Sequence, residues 1–180
     1  DMNDLKGRIA VVTGSSAGIG EVTAERLASA GAIVICGART VGDENNPQPQ
    51  TLANTIARIR ARGGEAYGHK LDVADPQSRA EFMDWVLAKF GKIDVQVNNA
   101  GISGISGKRV WEMSEKHFRL VFEIDVFAVR DLIVRALPGM MAQGWGRIVN
   151  VSSTAADRSA PNPEGPPFLD YHRKSGTAQY

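Results

Sequence analysis

Cysteine is almost missing from this chain of 180 residues. Cys36 stands alone, so no internal disulfide forms and no cysteine cluster offers a metal site. His69, His117 and His172 are scattered without metal-ligand spacing. No apolar run approaches the ~18 residues that a membrane-spanning helix needs. No signal peptide is recognisable. The net charge is only +1, which gives no electrostatic case for nucleic acid or an anionic membrane surface. Lys108-Arg109 is an isolated loop pair. The remaining expectation is a single domain of ordinary globular composition, suited to a reducing cytoplasm.

What is present is a repeated strand–helix pattern. Ile9–Thr13 reads as a first strand and Ile19–Ala30 as a first helix. Ile33–Cys36 is continuously apolar, as a strand covered on both faces should be, and Cys36 reads as core. Polar Val41–Gln50, with Pro47 and Pro49, reads as a loop. Thr51–Arg62 has helical periodicity, and Ala66–Leu71 reads as a third strand. Asp75 as N-cap and Pro76 at the first helical position start a helix that stops at Gly91. Ile93–Val97 reads as a fourth strand, Glu115–Leu137 as a long helix ended by Pro138-Gly139, and Arg147–Val151 as a fifth strand. Thr154–Asp170 reads as a Pro/Gly-rich loop. Trp85, Trp111 and Trp145 read as packing or rim residues. Strand–helix alternation predicts an α/β fold, a doubly wound parallel sheet whose ligands bind beyond the carboxyl ends of the strands.

Thr13-Gly14-Ser15-Ser16-Ala17-Gly18-Ile19-Gly20 lies between the first strand and the first helix. Glycines there let the backbone approach a ligand, and the helix start presents free N–H groups for a diphosphate. A P-loop would need Lys after the last glycine; Glu21 stands there, which disfavours nucleoside triphosphate hydrolysis. Arg39, Asp72, Asn98–Gly101 and Ser153 also follow strand ends, so the fold gathers them at one sheet edge.

Together these segments resemble the short-chain dehydrogenase/reductase family. Thr13–Gly20 matches its T-G-x-x-x-G-x-G turn, Asp72 its adenine-side Asp, and Asn98-Asn99-Ala100-Gly101 its N-N-A-G. Arg147–Ser153 matches the strand delivering its Ser, and Tyr171 its catalytic Tyr. The resemblance implies a Rossmann-type domain spanning residues 1–180. It implies a nicotinamide cofactor held by Gly14, Ser16, Ala17, Gly18, Ile19, Gly20, Arg39, Asp72, Val73, Asn99, Ala100 and Gly101. Arg39 at the end of the second strand suits a 2′-phosphate, favouring NADP over NAD. Ala17 stands where NADP-preferring relatives often carry a basic residue.

The implied activity is hydride transfer between NADP(H) and an alcohol/carbonyl substrate. Ser153 would polarise the substrate oxygen and Tyr171 would act as general acid/base, its pKa lowered by a neighbouring Lys. Two departures qualify this. The family's Y-x-x-x-K places Lys four residues after Tyr, but Ser175 stands there and Lys174 comes one residue early. Lys174 then substitutes with altered geometry, a helix irregularity restores register, or the chain is an NADP(H)-binding module with little or no turnover. Second, Asp125 replaces the family's Asn on an apolar stripe of Phe118, Val121, Phe122, Val129, Leu132 and Ile133. Its carboxylate is expected to pair with Lys174, to sit protonated, or to be a tolerated substitution beside a polar cavity. Relatives continue past the Tyr helix with further strands, so the chain is read as C-terminally incomplete, with an exposed sheet edge. They commonly assemble through the two long helices, which implies a dimer or tetramer.

Overall fold

The computed structural model describes residues 5–102 and 110–152. Five parallel strands form one sheet in the order β3-β2-β1-β4-β5. They are β1 (Ile9–Thr13), β2 (Ile33–Ala38), β3 (Glu65–Lys70), β4 (Val95–Asn98) and β5 (Arg147–Asn150). Helices α1 (Gly18–Ser29), α2 (Leu52–Ala61), α3 (Pro76–Phe90), α4 (Glu115–Phe122) and α5 (Ala128–Ala142) connect them, and a 3-10 turn spans Val110–Glu112.

The strand period of two divides the core between the faces. Ala10, Val12, Val34 and Cys36 pack with Ala24, Ala28, Ile56 and Ile59 of α1 and α2. Ile9, Val11 and Ile35 pack on the opposite face with Phe82, Val86, Leu132 and Met140 of α3 and α5. The predicted double winding is therefore present. Cys36 is fully buried, and burial pushes its thiol pKa up to about 12.

Buried Asp94 pins the end of the sheet away from the strand carboxyl ends. Its carboxylate accepts from the Ile9 N–H at 2.9 Å and pairs with Arg8 and Lys92, each at 2.9 Å. Its backbone N–H donates to Ile9 O and its carbonyl accepts from Arg147 N–H, joining β1 to β5.

Asp75 caps α3 by accepting from Gln77 N–H at 3.0 Å, Pro76 is the first helical residue, and Gly91 closes the helix at φ 74°. Two expectations need correction. Pro138-Gly139 does not end the long helix, because α5 runs on to Ala142. Val134, whose carbonyl loses its partner, and Pro138 are both exposed, so water can take that hydrogen bond. The long helix is also not uniform: Glu123–Phe127 forms a π-turn between α4 and α5. The wider turn moves the buried stripe to Ile124, Ala128, Leu132, Ala136 and Met140, leaving Val129 and Ile133 half-buried. Among the described residues β5 pairs only with β4, and Val149 is 49% exposed.

Candidate functional site

At the carboxyl end of the sheet a cleft of about 510 Å³ opens between the strand ends. Gly14 and Ser16 supply one wall, Arg39 and Thr40 the β2 side, and Leu71–Ala74 the β3 side. Asn99–Ile102 follow β4, and Leu120 and Ile124 close the cleft from α4 and the π-turn. Eight residues expected from the sequence, Gly14, Ser16, Arg39, Asp72, Val73, Asn99, Ala100 and Gly101, thus meet at one cleft. Ala17, Gly18, Ile19 and Gly20 continue the same turn into α1 without lining the cleft itself.

The turn is built for close approach. A Cβ on Gly20 would stand 2.3 Å from Gly14 O and 2.5 Å from Asn99 Nδ2, so only glycine fits under the loop. Gly18 has φ +59° and open space where a Cβ would be. The first helical hydrogen bond of α1 runs from Glu21 N–H to Ala17 O at 3.3 Å. The Gly18, Ile19 and Gly20 N–H groups precede it and have no intrahelical acceptor. Ala17, as N-cap, supplies no side-chain cap. Three donors with no acceptor among the described residues, at the positive end of a helix dipole, suit a diphosphate.

Thr13 locks this turn to the loop after β4. Its Oγ1 accepts from Asn99 N–H at 3.0 Å and from Ala100 N–H at 2.9 Å. Asn99 Nδ2 donates back to Thr13 O at 2.9 Å and Gly14 O at 3.3 Å. The Asn99 amide therefore braces the turn. Thr13 is a supporting residue that the motif contained but its chemistry alone did not single out.

Asp72 Oδ1 accepts from Ala74 N–H at 3.0 Å, which leaves its second oxygen to the cleft. Arg39 is exposed on the cleft wall and pairs with no described residue. Polar Val41–Gln50 is exposed as expected and lies outside the cleft lining. These groups fit a nicotinamide dinucleotide: helix-start amides suit a diphosphate, a carboxylate oxygen suits hydroxyl or amine donors, and a guanidinium without a described partner suits a phosphate.

Asp125 is half-buried in the π-turn. Its Oδ1 accepts from Ile102 N–H at 3.0 Å, and Oδ2 is buried with no described partner. Burial pushes its carboxyl pKa up, and the Ile102 N–H only partly offsets this. Sequence reasoning identified Asp125 but not its hold on Ile102, and it did not single out Leu120 or Ile124. Ser153, Tyr171 and Lys174 lie outside the described residues. Among the described residues no helix is long and apolar enough to cross a membrane, and no group of three metal-ligating side chains occurs.

Residues 8–165 match the family model described as short chain dehydrogenase. Cis-4-hydroxycyclohexanecarboxylate dehydrogenase of Sinomonas cyclohexanicum is 41% identical over 147 residues, covering 81% of this chain and 55% of that protein. A metagenomic short-chain oxidoreductase solved with NADP superposes with a TM-score of 0.77 at 34% identity, covering 94% of this chain and 72% of the other. An NAD+-bound xylitol dehydrogenase superposes at 0.76 and 28% identity, covering 94% and 60%. The chain spans about half the length of the curated relatives it matches. The match over most of the chain, with the glycine turn and the braced loop at one sheet edge, makes this chain a member of the short-chain dehydrogenase family.

Proposed function

We propose that this chain carries the cofactor-binding part of an oxidoreductase that interconverts an alcohol and a carbonyl compound with NADP(H). The observation that carries the proposal is the cleft walled by Gly14 and Ser16, whose turn leads into the uncapped start of α1, and by Arg39, which pairs with no described residue. The α1 amides hold the diphosphate, Asp72 and Val73 hold the adenine side, and Asn99–Gly101 brace the turn beneath the dinucleotide. Arg39 meets the 2′-phosphate, where a guanidinium forms a bidentate pair. Bound NADP(H) supplies or accepts the hydride. Ser153 hydrogen-bonds the substrate oxygen, Tyr171 moves its proton, and Lys174 holds the Tyr171 pKa down. Asp125 belongs to this catalytic set through its position behind Ile102.

Titration with NADPH and NADH, in the wild type and Arg39→Ala, tests the cofactor. The expected result is NADPH bound at least about tenfold more tightly than NADH, with that preference lost in the variant. Equal binding of both coenzymes by the wild type would remove NADP from the proposal.

One feature favours a second reading, an NADP(H)-binding module with weak or no catalysis: Ser175 occupies the family's Lys position. NADPH oxidation with a panel of ketones and aldehydes separates the two. Binding without turnover supports the module, and the swap Lys174→Ser with Ser175→Lys then raises the rate if register is the limit.

The proposed setting is cytoplasmic, consistent with a lone buried thiol. Assembly as a dimer or tetramer is proposed through α4, the π-turn and α5, where Phe127, Val134 and Met141 are 53%, 51% and 71% exposed.

A further inference from the structure

Arg79 is the fourth residue of α3, yet it is only 4% exposed. A charge buried that far needs partners, and Arg79 has three. Its Nε donates to Asp131 Oδ2 of α5 at 2.9 Å. Its Nη1 donates to Glu123 Oε1, the first residue of the π-turn, at 2.8 Å. The same nitrogen donates to the Val73 carbonyl. Burial works against the charge, but the Asp131 and Glu123 carboxylates outweigh it and hold the guanidinium protonated.

The three partners have one thing in common. Val73 belongs to the cleft wall after β3. Glu123 precedes Ile124, which closes the cleft from the π-turn, and lies two residues before Asp125, which holds Ile102 of the segment after β4. Asp131 fixes α5 behind them and also accepts from Arg135 Nε at 3.1 Å. Both walls of the cleft are therefore tied to one guanidinium that does not itself line it.

We propose that Arg79 is a positioning residue that sets the separation of the two walls gripping the adenine side of the coenzyme. This rests on the nucleotide reading of the cleft. A planar fork reaching three acceptors fixes both distance and angle, which a lysine ammonium on a flexible stem does not reproduce. Removing it frees the Val73 carbonyl and leaves two carboxylates facing each other, so the walls move apart.

The test uses 2′,5′-ADP, which carries the adenine side and the 2′-phosphate but no nicotinamide. Its affinity is measured for the wild type, Arg79→Lys, Arg79→Met and Glu123→Gln, at a temperature where circular dichroism shows each to be folded. The expected result is a Kd raised about tenfold in Arg79→Met, with partial recovery in Arg79→Lys. Glu123 is 32% exposed, so Glu123→Gln keeps the fold and carries the test if Arg79→Met does not fold; a several-fold loss is expected. Hydrogen exchange adds a readout that a merely structural role would not move. In the wild type 2′,5′-ADP slows exchange both around Val73 and across Glu123–Phe127, whereas in the Arg79 variants it slows only the former. Folded variants that bind 2′,5′-ADP within twofold of the wild type overturn this proposal alone, however far their melting temperatures fall. A folded wild type that binds neither 2′,5′-ADP nor NADPH overturns the nucleotide reading and this proposal with it.

Discussion

Asp125 reaches across from the π-turn to the loop after β4, where its Oδ1 accepts the Ile102 N–H at 3.0 Å. The contact is close: a Cβ on Gly101 would stand 3.1 Å from the same oxygen. The other carboxylate oxygen is buried without a described partner.

A raised carboxyl pKa has a definite sign. Burial favours the protonated form in the folded state, so the stability associated with Asp125 is present below about pH 3.9, the unfolded value, and is lost as pH rises through the folded one. Asp125→Asn keeps an acceptor for Ile102 and removes the buried charge. The variant should be more stable than the wild type at pH 7, by on the order of 1 kcal/mol, with the difference closing below about pH 4. Urea denaturation across that range measures it. A variant less stable at pH 7 would mean the carboxylate is paired with a cation such as Lys174.

Gly18 and Gly20 should fail in different ways. Gly20→Ala puts a methyl 2.3 Å from Gly14 O, so it distorts the turn and lowers stability by about 1–3 kcal/mol. At Gly18 the added methyl meets nothing in the protein, but φ is +59°, so the cost is about 1 kcal/mol of backbone strain. In the proposed binding mode that methyl stands where the coenzyme approaches. Thermal melting paired with NADPH titration should show Gly18→Ala losing far more affinity than stability.

Asp94 carries the opposite pH signature to Asp125. Burial opposes its charge, but the Ile9 N–H, Lys92 and Arg8 hold its carboxyl below the usual range. Its contribution is therefore present above about pH 3.9 and lost as pH falls through the folded value. Asp94→Asn should cost about 2 kcal/mol at pH 7, and the gap to the wild type should narrow in acid. Lying at the far end of the sheet, the substitution should leave NADPH affinity unchanged.

The strands were legible because parallel-sheet residues are apolar on both faces, as in Ile33–Cys36, and because Asp75-Pro76 and Gly91 carry their own helix signals. The cleft was legible because strand ends converge in such a sheet. What escaped was tertiary. Arg79, between Ser78 and Ala80, carries no local signal of its burial, which comes from Glu123 and Asp131, distant in sequence. The π-turn leaves no periodicity of its own, since one extra residue only shifts the apolar stripe. Pro138 reads as a stop signal because exposure of the Val134 turn is not visible in the sequence.

In the proposed binding mode a dinucleotide diphosphate seats on the first amides of α1. Backbone amide chemical shifts followed during an NADPH titration test it most directly. The expected result is that Gly18, Ile19 and Gly20 shift strongly and saturably, together with Asp72 and Val73. Unmoved signals at those amides, in a protein whose remaining spectrum shows it folded, would contradict it.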